Sequence, residues 1–246
     1  MPVDDQEISA LKNALRARLQ SETETSIFNT FLDSSSGKIA ERLRRWTVYQ
    51  KASCILVPPT AFFRQTALNI LLDGKNLIFS SPKMHQGFYL VNPQKIPRPQ
   101  RGAAASFRSP NPWARNVRYR LGEKVRLDVV VMPCLAASHD GGRLGDGSGL
   151  MDLQVACLGA LEWLHAGTVV VGVAPDTRVL ETIPMKSNDA PLHWIVTERR
   201  ILQTTWHENA RVPILWTLLD KKSIRRNDVL FFLKGGKDTS FPCRFP

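Results

Sequence analysis

Residues 131–153, VMPCLAASHDGGRLGDGSGLMDL, decide the fold prediction because three kinds of local structure meet there. The apolar run at 127–131 is typical of a buried parallel strand, and it leads into a loop with five glycines. A helical pattern then begins near Asp152. This order of elements is the geometry that holds an anion on backbone N–H groups at a helix N-terminus. A flexible surface loop is the alternative interpretation.

The chain around this stretch alternates helix and strand, which predicts a parallel sheet. Apolar spacing predicts an amphipathic helix over 5–21, and the serine-rich stretch 34–37 predicts the start of a second helix. Further helices are predicted from Thr60 to Gly74 and from Asp152 to Gly167. Strands are predicted at 53–57, 76–80, 127–135, 168–174 and 192–197.

The domain organisation follows from these elements. Prolines in 92–124 rule out a long element there, so this segment is predicted to run over the surface. The sequence predicts one α/β domain over 1–204, with a mostly parallel sheet flanked by helices. Residues 205–246 form an extension that docks on this domain or lies at a subunit contact.

Composition is typical of a globular protein that buries a sizeable core, with 246 residues and 43% hydrophobic residues. No apolar run approaches the roughly 20 residues of a membrane span, and the first residues lack the apolar region of a signal peptide. The scattered cysteines at 54, 134, 157 and 243 predict reduced core thiols in a cytoplasmic protein.

The net charge of +11 is concentrated in two stretches. Residues 95–126 contain nine Lys or Arg and one acid, and residues 220–246 contain seven Lys or Arg and three acids. A localised basic field favours an anionic partner, whereas a solvated charged surface is the alternative. Within 95–126, Phe107, Trp113 and Tyr119 would be available to stack on bases if the partner were RNA.

Several common chemistries are excluded by spacing. Ser138, His139 and Asp140 are adjacent, so they cannot form a relay, and no GxSxG elbow occurs. The five histidines lack metal-ligand spacing. The glycine loop matches neither the GxxxxGK[ST] phosphate loop nor a dinucleotide fingerprint.

Short motifs nevertheless follow one another along the chain. They are KNALRARL at 12–19, GK at 74–75, GRLGDGSGLMD at 142–152, IP at 183–184, DAP at 189–191 and IVTE at 195–198. In this combination and order the chain resembles the 5-formyltetrahydrofolate cyclo-ligase (5,10-methenyltetrahydrofolate synthetase) family over about residues 8–200. The stretches 57–84 and 128–154 look most like a divergent paralogue branch of that family.

The resemblance implies an α/β fold of the NagB/RpiA/CoA-transferase type, with ATP and Mg²⁺ as cofactors and a bound 5-formyltetrahydrofolate. In the family reaction, the formyl oxygen attacks the γ-phosphate of ATP and ADP leaves. Ring closure from N10 then displaces the phosphate and yields 5,10-methenyltetrahydrofolate. The implied partners are a folate-type small molecule and a nucleotide, without a membrane, and an oligomer is compatible with the sequence.

The resemblance also implies site residues. It assigns catalysis to Arg143 and Asp152, and the metal to Asp152 and Asp189. Phosphoryl transfer depends on positioning and on neutralising negative charge, which suits cations and glycine backbone. The implied ATP-binding residues are Lys12, Arg16, Gly142, Arg143, Leu144, Gly145, Asp146, Gly147, Ser148 and Gly149.

This chain departs from the family pattern at several positions. Leu150 and Met151 stand where the family has two tyrosines, and Pro58, Pro59 and Thr60 stand where its pterin-binding Glu is expected. Asn188 replaces a His, Leu153 replaces an Arg, and Asp146 adds a negative charge to the phosphate loop.

Three functions therefore remain as hypotheses. The first is an ATP- and Mg²⁺-dependent cyclo-ligase that acts on 5-formyltetrahydrofolate in one-carbon metabolism. The second is a paralogue without this activity that binds a nucleotide or a phosphorylated metabolite. The third is an RNA-binding protein that uses the basic segment 95–126.

Overall fold

The structure, a computed structural model, describes residues 5–21, 25–108, 110–207 and 212–235. Its helices are α1 (Asp5–Ser21), α2 (Thr25–Arg45), α3 (Thr47–Lys51), α4 (Arg64–Leu72), α5 (Arg101–Ala104), α6 (Leu150–Ala160), α7 (Lys221–Arg226) and α8 (Asp228–Leu233). Its strands are β1 (Cys54–Leu56), β2 (Asn76–Ser80), β3 (Phe88–Val91), β4 (Ala114–Asn116), β5 (Leu127–Pro133), β6 (Ala136–Ser138), β7 (Arg143–Leu144), β8 (Leu164–Val173), β9 (Val179–Leu180), β10 (Trp194–Val196) and β11 (Ile201–Gln203).

Eight strands form the central sheet in the order β11-β10-β8-β5-β1-β2-β3-β4. The middle strands β10, β8, β5, β1 and β2 run parallel to one another. Antiparallel strands close both edges, with β11 on one side and β3 and β4 on the other. The predicted mostly parallel sheet flanked by helices is therefore confirmed. A second sheet, β7-β6-β9, lies apart from the central one.

Both faces of the central sheet are buried, which explains why its strands are continuous apolar runs. On one face, Val129 and Val131 of β5 pack in the cluster that includes α2 and α4. On the other face, Val130 and Met132 pack in the cluster that includes α6 and α8. Alternate residues of one strand thus serve two separate cores.

Helix α1 lies against the small sheet instead of the central one. Leu19 is buried in a cluster with Ala136, Leu144 and Ile183. The helix spans 5–21, as its apolar spacing predicts. This docking brings the polar residues of α1 to the glycine loop.

The serine-rich stretch 34–37 was expected to begin the second helix, and this prediction was wrong. It lies inside α2, which starts at Thr25. A glycine in a helix interior costs about 1 kcal/mol, which the packing of a long helix readily offsets. The predicted inward residues Ile39, Leu43 and Trp46 are buried.

The helix after the glycine loop also ends earlier than predicted, since α6 stops at Ala160 and Leu164 already begins β8. Glu162 adopts a left-handed conformation at φ 59°, and Trp163 N donates to Leu158 O at 3.0 Å. This is the hydrogen-bond pattern of a Schellman cap, here without glycine. Burial of Trp163 stabilises the turn, so the expected stop at Gly167 is not used.

Residues 212–235 pack on the α6 face of the sheet, where Ile224, Val229 and Leu230 are buried. Tyr119 Oη and the Arg120 guanidinium both donate to Asp228, which ties α8 to the loop before β5. The division of the chain at residue 204 stays a prediction.

The basic segment 95–126 runs over the surface in short elements, as its prolines predict. Its aromatic residues are used for packing: Tyr119 is buried, Phe107 meets Phe79 edge-on at 5.3 Å, and Trp113 packs against the core. The interpretation that they are free to stack on bases is therefore wrong for Tyr119 and unsupported for the other two. The described residues of this segment therefore give no reason to prefer a nucleic-acid surface over a solvated basic surface.

Cys54, Cys134 and Cys157 are free and buried, as predicted, and burial raises the pKa of each thiol to about 12. Cys243 lies outside the described residues. Among the helices that the structure describes, none is long and apolar enough to cross a membrane.

Candidate functional site

The five glycines predicted to form one loop are divided by β7, because Gly141 and Gly142 lie in the turn between β6 and β7. Gly145, Gly147 and Gly149 lie in the segment that connects β7 to α6, and this segment is the glycine loop of the structure. It lies near the carboxyl ends of β1, β5 and β8. Ligands of open α/β sheets bind at this edge, because loops rather than packed side chains follow the strands there. The position agrees with the anion site that the sequence predicts.

Arg143 and Asp152 form a buried ion pair across the loop. Their side chains are only 4% and 10% exposed, and Nη2 of Arg143 donates to Oδ2 of Asp152. Although burial opposes its charge, the carboxylate of Asp152 holds the pKa of Arg143 above its ordinary value. The Nε of Arg143 is buried without a hydrogen-bond partner among the described residues. Arg143 is thus a charged group with donor capacity left over.

A second ion pair joins α1 to the loop before β10. Nζ of Lys12 donates to Oδ2 of Asp189, and the lysine is 5% exposed. Oδ2 of Asp189 also accepts the backbone N–H of Lys186 at 2.7 Å. Burial lowers the pKa of Lys12, although the charge of Asp189 acts against this.

Arg16, one turn further along α1, fixes the position of the glycine loop. Its Nε donates to Gly145 O at 2.8 Å, and its Nη1 donates to Asn13 Oδ1 at 2.7 Å. Lys12 and Arg16 thereby face the loop from the same side of the helix, as residues four apart must.

Asp146 turns its carboxylate toward the backbone of its own loop. Oδ1 accepts from Ser148 N at 2.9 Å and from Ser148 Oγ at 2.7 Å, and Leu150 N donates to Ser148 Oγ at 3.3 Å. Although burial opposes it, these bonds and the nearby arginines hold the pKa of Asp146 below its ordinary value. The Ser148 N–H, expected to be available to an anion, already has a carboxylate as its partner.

Two glycines of the loop are required by its geometry. A Cβ on Gly145 would lie 2.7 Å from Nη1 of Arg143, so a side chain there would displace the guanidinium. Gly149 has φ +67° immediately before α6, a conformation that favours glycine. The loop therefore admits Arg143 beneath it and turns directly into the helix.

These side chains enclose a pocket of about 250 Å³, which we call the polar pocket. Most of the residues implied by the family resemblance meet in it, although they come from α1, the glycine loop, α6 and the loop before β10. They are Lys12, Arg16, Arg143, Gly145, Asp146, Gly147, Gly149, Asp152 and Asp189.

A second pocket of about 550 Å³, which we call the apolar pocket, adjoins the first. Its walls come from the chain after three parallel strands: Thr60–Phe63 after β1, Pro133–Leu135 at the end of β5 and Val173–Pro175 at the end of β8. Arg143, Asp146 and Met151 line both pockets. A ligand with a ring and an anionic group would span this junction.

Three residues implied as phosphate ligands do not line the polar pocket. The side chain of Leu144 is fully buried in the core beside α1, where it packs with Leu19. A Cβ on Gly142 would meet Ile183 O at 2.6 Å, which makes this glycine a packing requirement. Ser148 contacts Asp146 instead of the pocket.

Sequence reasoning missed most of the apolar pocket and three polar residues of the polar pocket, Ser9, Asn13 and Lys186. Phe62, Leu135 and Ala174 look like core residues in the sequence. The available signal was positional, since each follows a predicted parallel strand and such ends meet at one edge of the sheet.

The donor set also bears on a magnesium ion. Mg²⁺ binds through one or two carboxylates together with substrate phosphates, and Asp152 and Asp189 lie beside cations suited to phosphates. Each carboxylate already pairs with a cation, and the described residues contain no group of three or more His, Cys, Asp or Glu that could hold a metal. The residues therefore fit a metal that is held in part by the oxygens of a phosphate ligand.

This fold and its two adjoining pockets define an α/β protein with a cleft at the carboxyl edge of its sheet. Comparison with known proteins makes the assignment specific. The model of the 5-formyltetrahydrofolate cyclo-ligase family matches residues 8–198, and the chain belongs to this family.

Relatives agree with the family assignment. The methenyltetrahydrofolate synthase domain-containing protein of Bos taurus is 26% identical over 218 residues, which cover 83% of this chain and 56% of the relative. The 5-formyltetrahydrofolate cyclo-ligase of Escherichia coli K12 is 36% identical over 76 residues, 31% of this chain and 39% of the relative. The chain spans about half the length of the methenyltetrahydrofolate synthase domain-containing proteins it matches.

Solved structures support the fold. The NMR structure of 5,10-methenyltetrahydrofolate synthetase from Aquifex aeolicus has a TM-score of 0.52 and 20% identity, covering 81% of this chain and 96% of that one.

Proposed function

We propose that this chain is an ATP-dependent cyclo-ligase that converts 5-formyltetrahydrofolate to 5,10-methenyltetrahydrofolate. The observation that carries the proposal is the junction at Arg143, where the polar pocket and the apolar pocket meet. A reaction between a ring-bound formyl group and a phosphate requires these two environments side by side.

In this proposal the polar pocket holds the triphosphate. Arg143, Lys12 and Arg16 neutralise charge on the phosphate oxygens, and neutralisation together with positioning is what phosphoryl transfer demands. Arg143 lines both pockets, which places a cation suited to phosphate oxygens at their junction. Mg²⁺, held by phosphate oxygens with Asp152 or Asp189, would add further charge neutralisation.

The apolar pocket would hold the ring system of the folate. Its walls are apolar and aromatic, with Phe62, Phe63 and Met151 among them, and its volume suits a bicyclic ring. The formyl oxygen would then face the γ-phosphate at Arg143. Water exclusion by these walls favours phosphate transfer to the formyl oxygen over hydrolysis.

The test is an absorbance assay for the methenyl product, run on the full chain with ATP, Mg²⁺ and 5-formyltetrahydrofolate. Nucleotide affinity is measured by calorimetry on the same sample. We expect product formation with the wild-type chain and none with Arg143→Ala. Absence of product while a known cyclo-ligase is active alongside would contradict the proposal.

A second candidate is a family member that binds nucleotide and ring without this reaction. The end of β1 favours it, because Thr60 lines the apolar pocket where the family pattern calls for a carboxylate. A hydroxyl cannot pair with two ring N–H donors as a carboxylate can. ATP binding without methenyl product in the same assay would establish this candidate over the first.

A further inference from the structure

The stretch 212–219, which precedes α7, leaves much apolar surface in contact with solvent. It contains six large apolar residues, and none of them is buried among the described residues. Some of them, such as Val212 and Trp216, touch the core cluster under α6 with one side. Leu218 is 72% exposed. An apolar patch of this kind on a protein surface marks an interaction site.

The same stretch forms one wall of a pocket of about 920 Å³, which shares no lining residue with the polar pocket or the apolar pocket. Small residues of α6, Ala156 and Gly159 among them, leave room in another wall. Two polar side chains of this pocket already have partners, since His193 Nδ1 accepts from Val170 N at 2.9 Å and Thr168 Oγ1 donates to a backbone oxygen at 2.7 Å. The pocket therefore offers a ligand mainly apolar contact.

Helix α7 places four exposed cations directly after the apolar stretch. They are Lys221, Lys222, Arg225 and Arg226. Within the part of the chain that the structure describes, none of the four has an ion pair or a side-chain hydrogen bond. Residues four apart face each other on a helix, so this arrangement of like charges destabilises the free chain. An anionic partner would remove that cost.

The basic segment 95–126 differs in this respect. There Arg115, Arg120 and Lys124 each form an ion pair with a carboxylate of the chain. The unpaired charge is therefore concentrated on α7.

The apolar stretch and the cations meet in one place. Lys234 Nζ lies 5.6 Å from the centre of the Trp216 ring. The same lysine lines a groove of about 300 Å³ together with Lys221, Arg225 and Phe231. We call residues 212–226 and 231–234 the extension surface.

The charges of the extension surface argue against a second copy of this chain as its partner. A two-fold contact places the same patch on both sides of the interface. The cations of one α7 would then face those of the other, and like charges across an interface oppose association. The net charge of +11 on each chain adds to this repulsion.

The apolar stretch argues against a nucleic acid, because protein–nucleic acid interfaces are polar and wet. Bases stack on open faces of aromatic rings, and the ammonium of Lys234 already covers one face of Trp216.

We propose that the extension surface docks an acidic peptide segment of a partner protein. Apolar side chains of that segment would enter the pocket beside Trp216, and its carboxylates would pair with the cations of α7. Apolar contact in the centre and charged groups at the rim are the usual anatomy of a protein interface. This binding function is separate from the proposed reaction, because the pocket beside Trp216 shares no residue with the two pockets that meet at Arg143.

Selection of peptides from a displayed random library on the full chain tests this proposal. We expect the enriched peptides to combine acidic residues with large apolar anchors. Calorimetry then compares the Kd of one enriched peptide for the wild-type chain and for variants. Trp216→Ser should weaken binding by about thirtyfold or more, as loss of an aromatic hot spot does. Leu218→Ser should weaken it severalfold, and it decides the test if Trp216→Ser does not fold, because Leu218 is largely exposed.

The combined change Lys221→Glu and Arg225→Glu reverses the charge of the groove and should abolish peptide binding without changing methenyl formation. The matched control is Lys95→Glu with Arg98→Glu, which reverses two exposed cations elsewhere and should leave the peptide Kd unchanged.

Three results would overturn the proposal. One is a selection that enriches no peptide or only peptides without acidic residues. Another is RNA binding that depends on Trp216 while no peptide binds, which would assign the surface to a nucleic acid. The third is a dimer of the full chain that Leu218→Ser dissociates, which would assign it to a second copy.

Discussion

The two pockets that share Arg143 are built in opposite ways. The polar pocket is made of charged side chains and glycine backbone, which short sequence motifs predict. The apolar pocket is made of residues after three parallel strands, whose sequences resemble any buried core. Charge and glycine spacing are therefore visible locally, whereas an apolar cavity exists only because strand ends from distant parts of the chain meet.

The two pockets also differ in how many of the residues expected from the family pattern they retain. The polar pocket retains its Arg, Lys and Asp residues and arranges them in ion pairs. The apolar pocket lacks the carboxylate expected after β1. The two expected tyrosines are replaced by Leu150, which lines the polar pocket, and by Met151, which lines both pockets. The chain accordingly keeps the residue types that bind an anion and lacks those expected to bind the ring.

The largest effect is expected at the residue that joins the two pockets. Arg143→Ala removes the cation shared by both and leaves Asp152 buried without its ion-pair partner. We expect nucleotide binding to be lost, and the free energy of unfolding to fall by about 3–5 kcal/mol. Calorimetry and urea unfolding measure the two effects. Arg45→Ala, which breaks an exposed pair with Glu41, is the control and should change neither appreciably.

Unchanged ATP affinity in Arg143→Ala would mean that the phosphates do not bind at this junction.

A bulky residue at the mouth of the apolar pocket tests whether this pocket binds the folate while the polar pocket binds ATP. Ala61 is exposed and lines only the apolar pocket, so Ala61→Trp fills space without disturbing the core. We expect 5-formyltetrahydrofolate binding to be lost while ATP affinity stays at the wild-type value, and Ala61→Ser serves as the size control. Loss of ATP binding with folate binding intact would reverse the assignment and give the apolar pocket to adenine.

The pH dependence of nucleotide binding tests Lys12. Burial lowers the pKa of this lysine from its ordinary 10.5, and only its protonated form attracts phosphate. ATP affinity should therefore be full below the lowered pKa and should fall as pH rises through it. Lys12→Arg keeps the charge and should remove this decline, as measured by calorimetry across the alkaline range. Exposed Lys51→Arg should leave the profile as in wild type, and a pH-independent wild-type affinity would contradict the role of Lys12.

The smallest effect is expected at Asp146, which lies in both pockets. Asp146→Asn keeps an oxygen for Ser148 N and removes a charge that repels phosphate by about 1 kcal/mol even when solvated. We expect ATP to bind about fivefold more tightly, with and without Mg²⁺. Weaker binding in the presence of Mg²⁺ would show that this carboxylate serves the metal.

Much of the fold was predictable because its signals are local. The apolar runs at β1, β2, β5 and β8 and the spacing in α1 predicted a mostly parallel sheet with flanking helices. Element ends were predicted less well. Gly167 looked like a helix stop, but burial of Trp163 ends α6 earlier through a left-handed Glu162. Tertiary packing there outweighs the local preference for glycine.

By itself the sequence determined the α/β class, the glycine loop and the cations and carboxylates around it, because these depend on residue type and short spacing. Only the tertiary structure decided how the charges pair. Lys12 meets Asp189 across 177 residues of sequence, and Arg143 meets Asp152 beneath Gly145. The apolar pocket likewise exists only after three parallel strands bring their ends to one edge. Long-range pairing is set by how elements dock, and no local pattern specifies it.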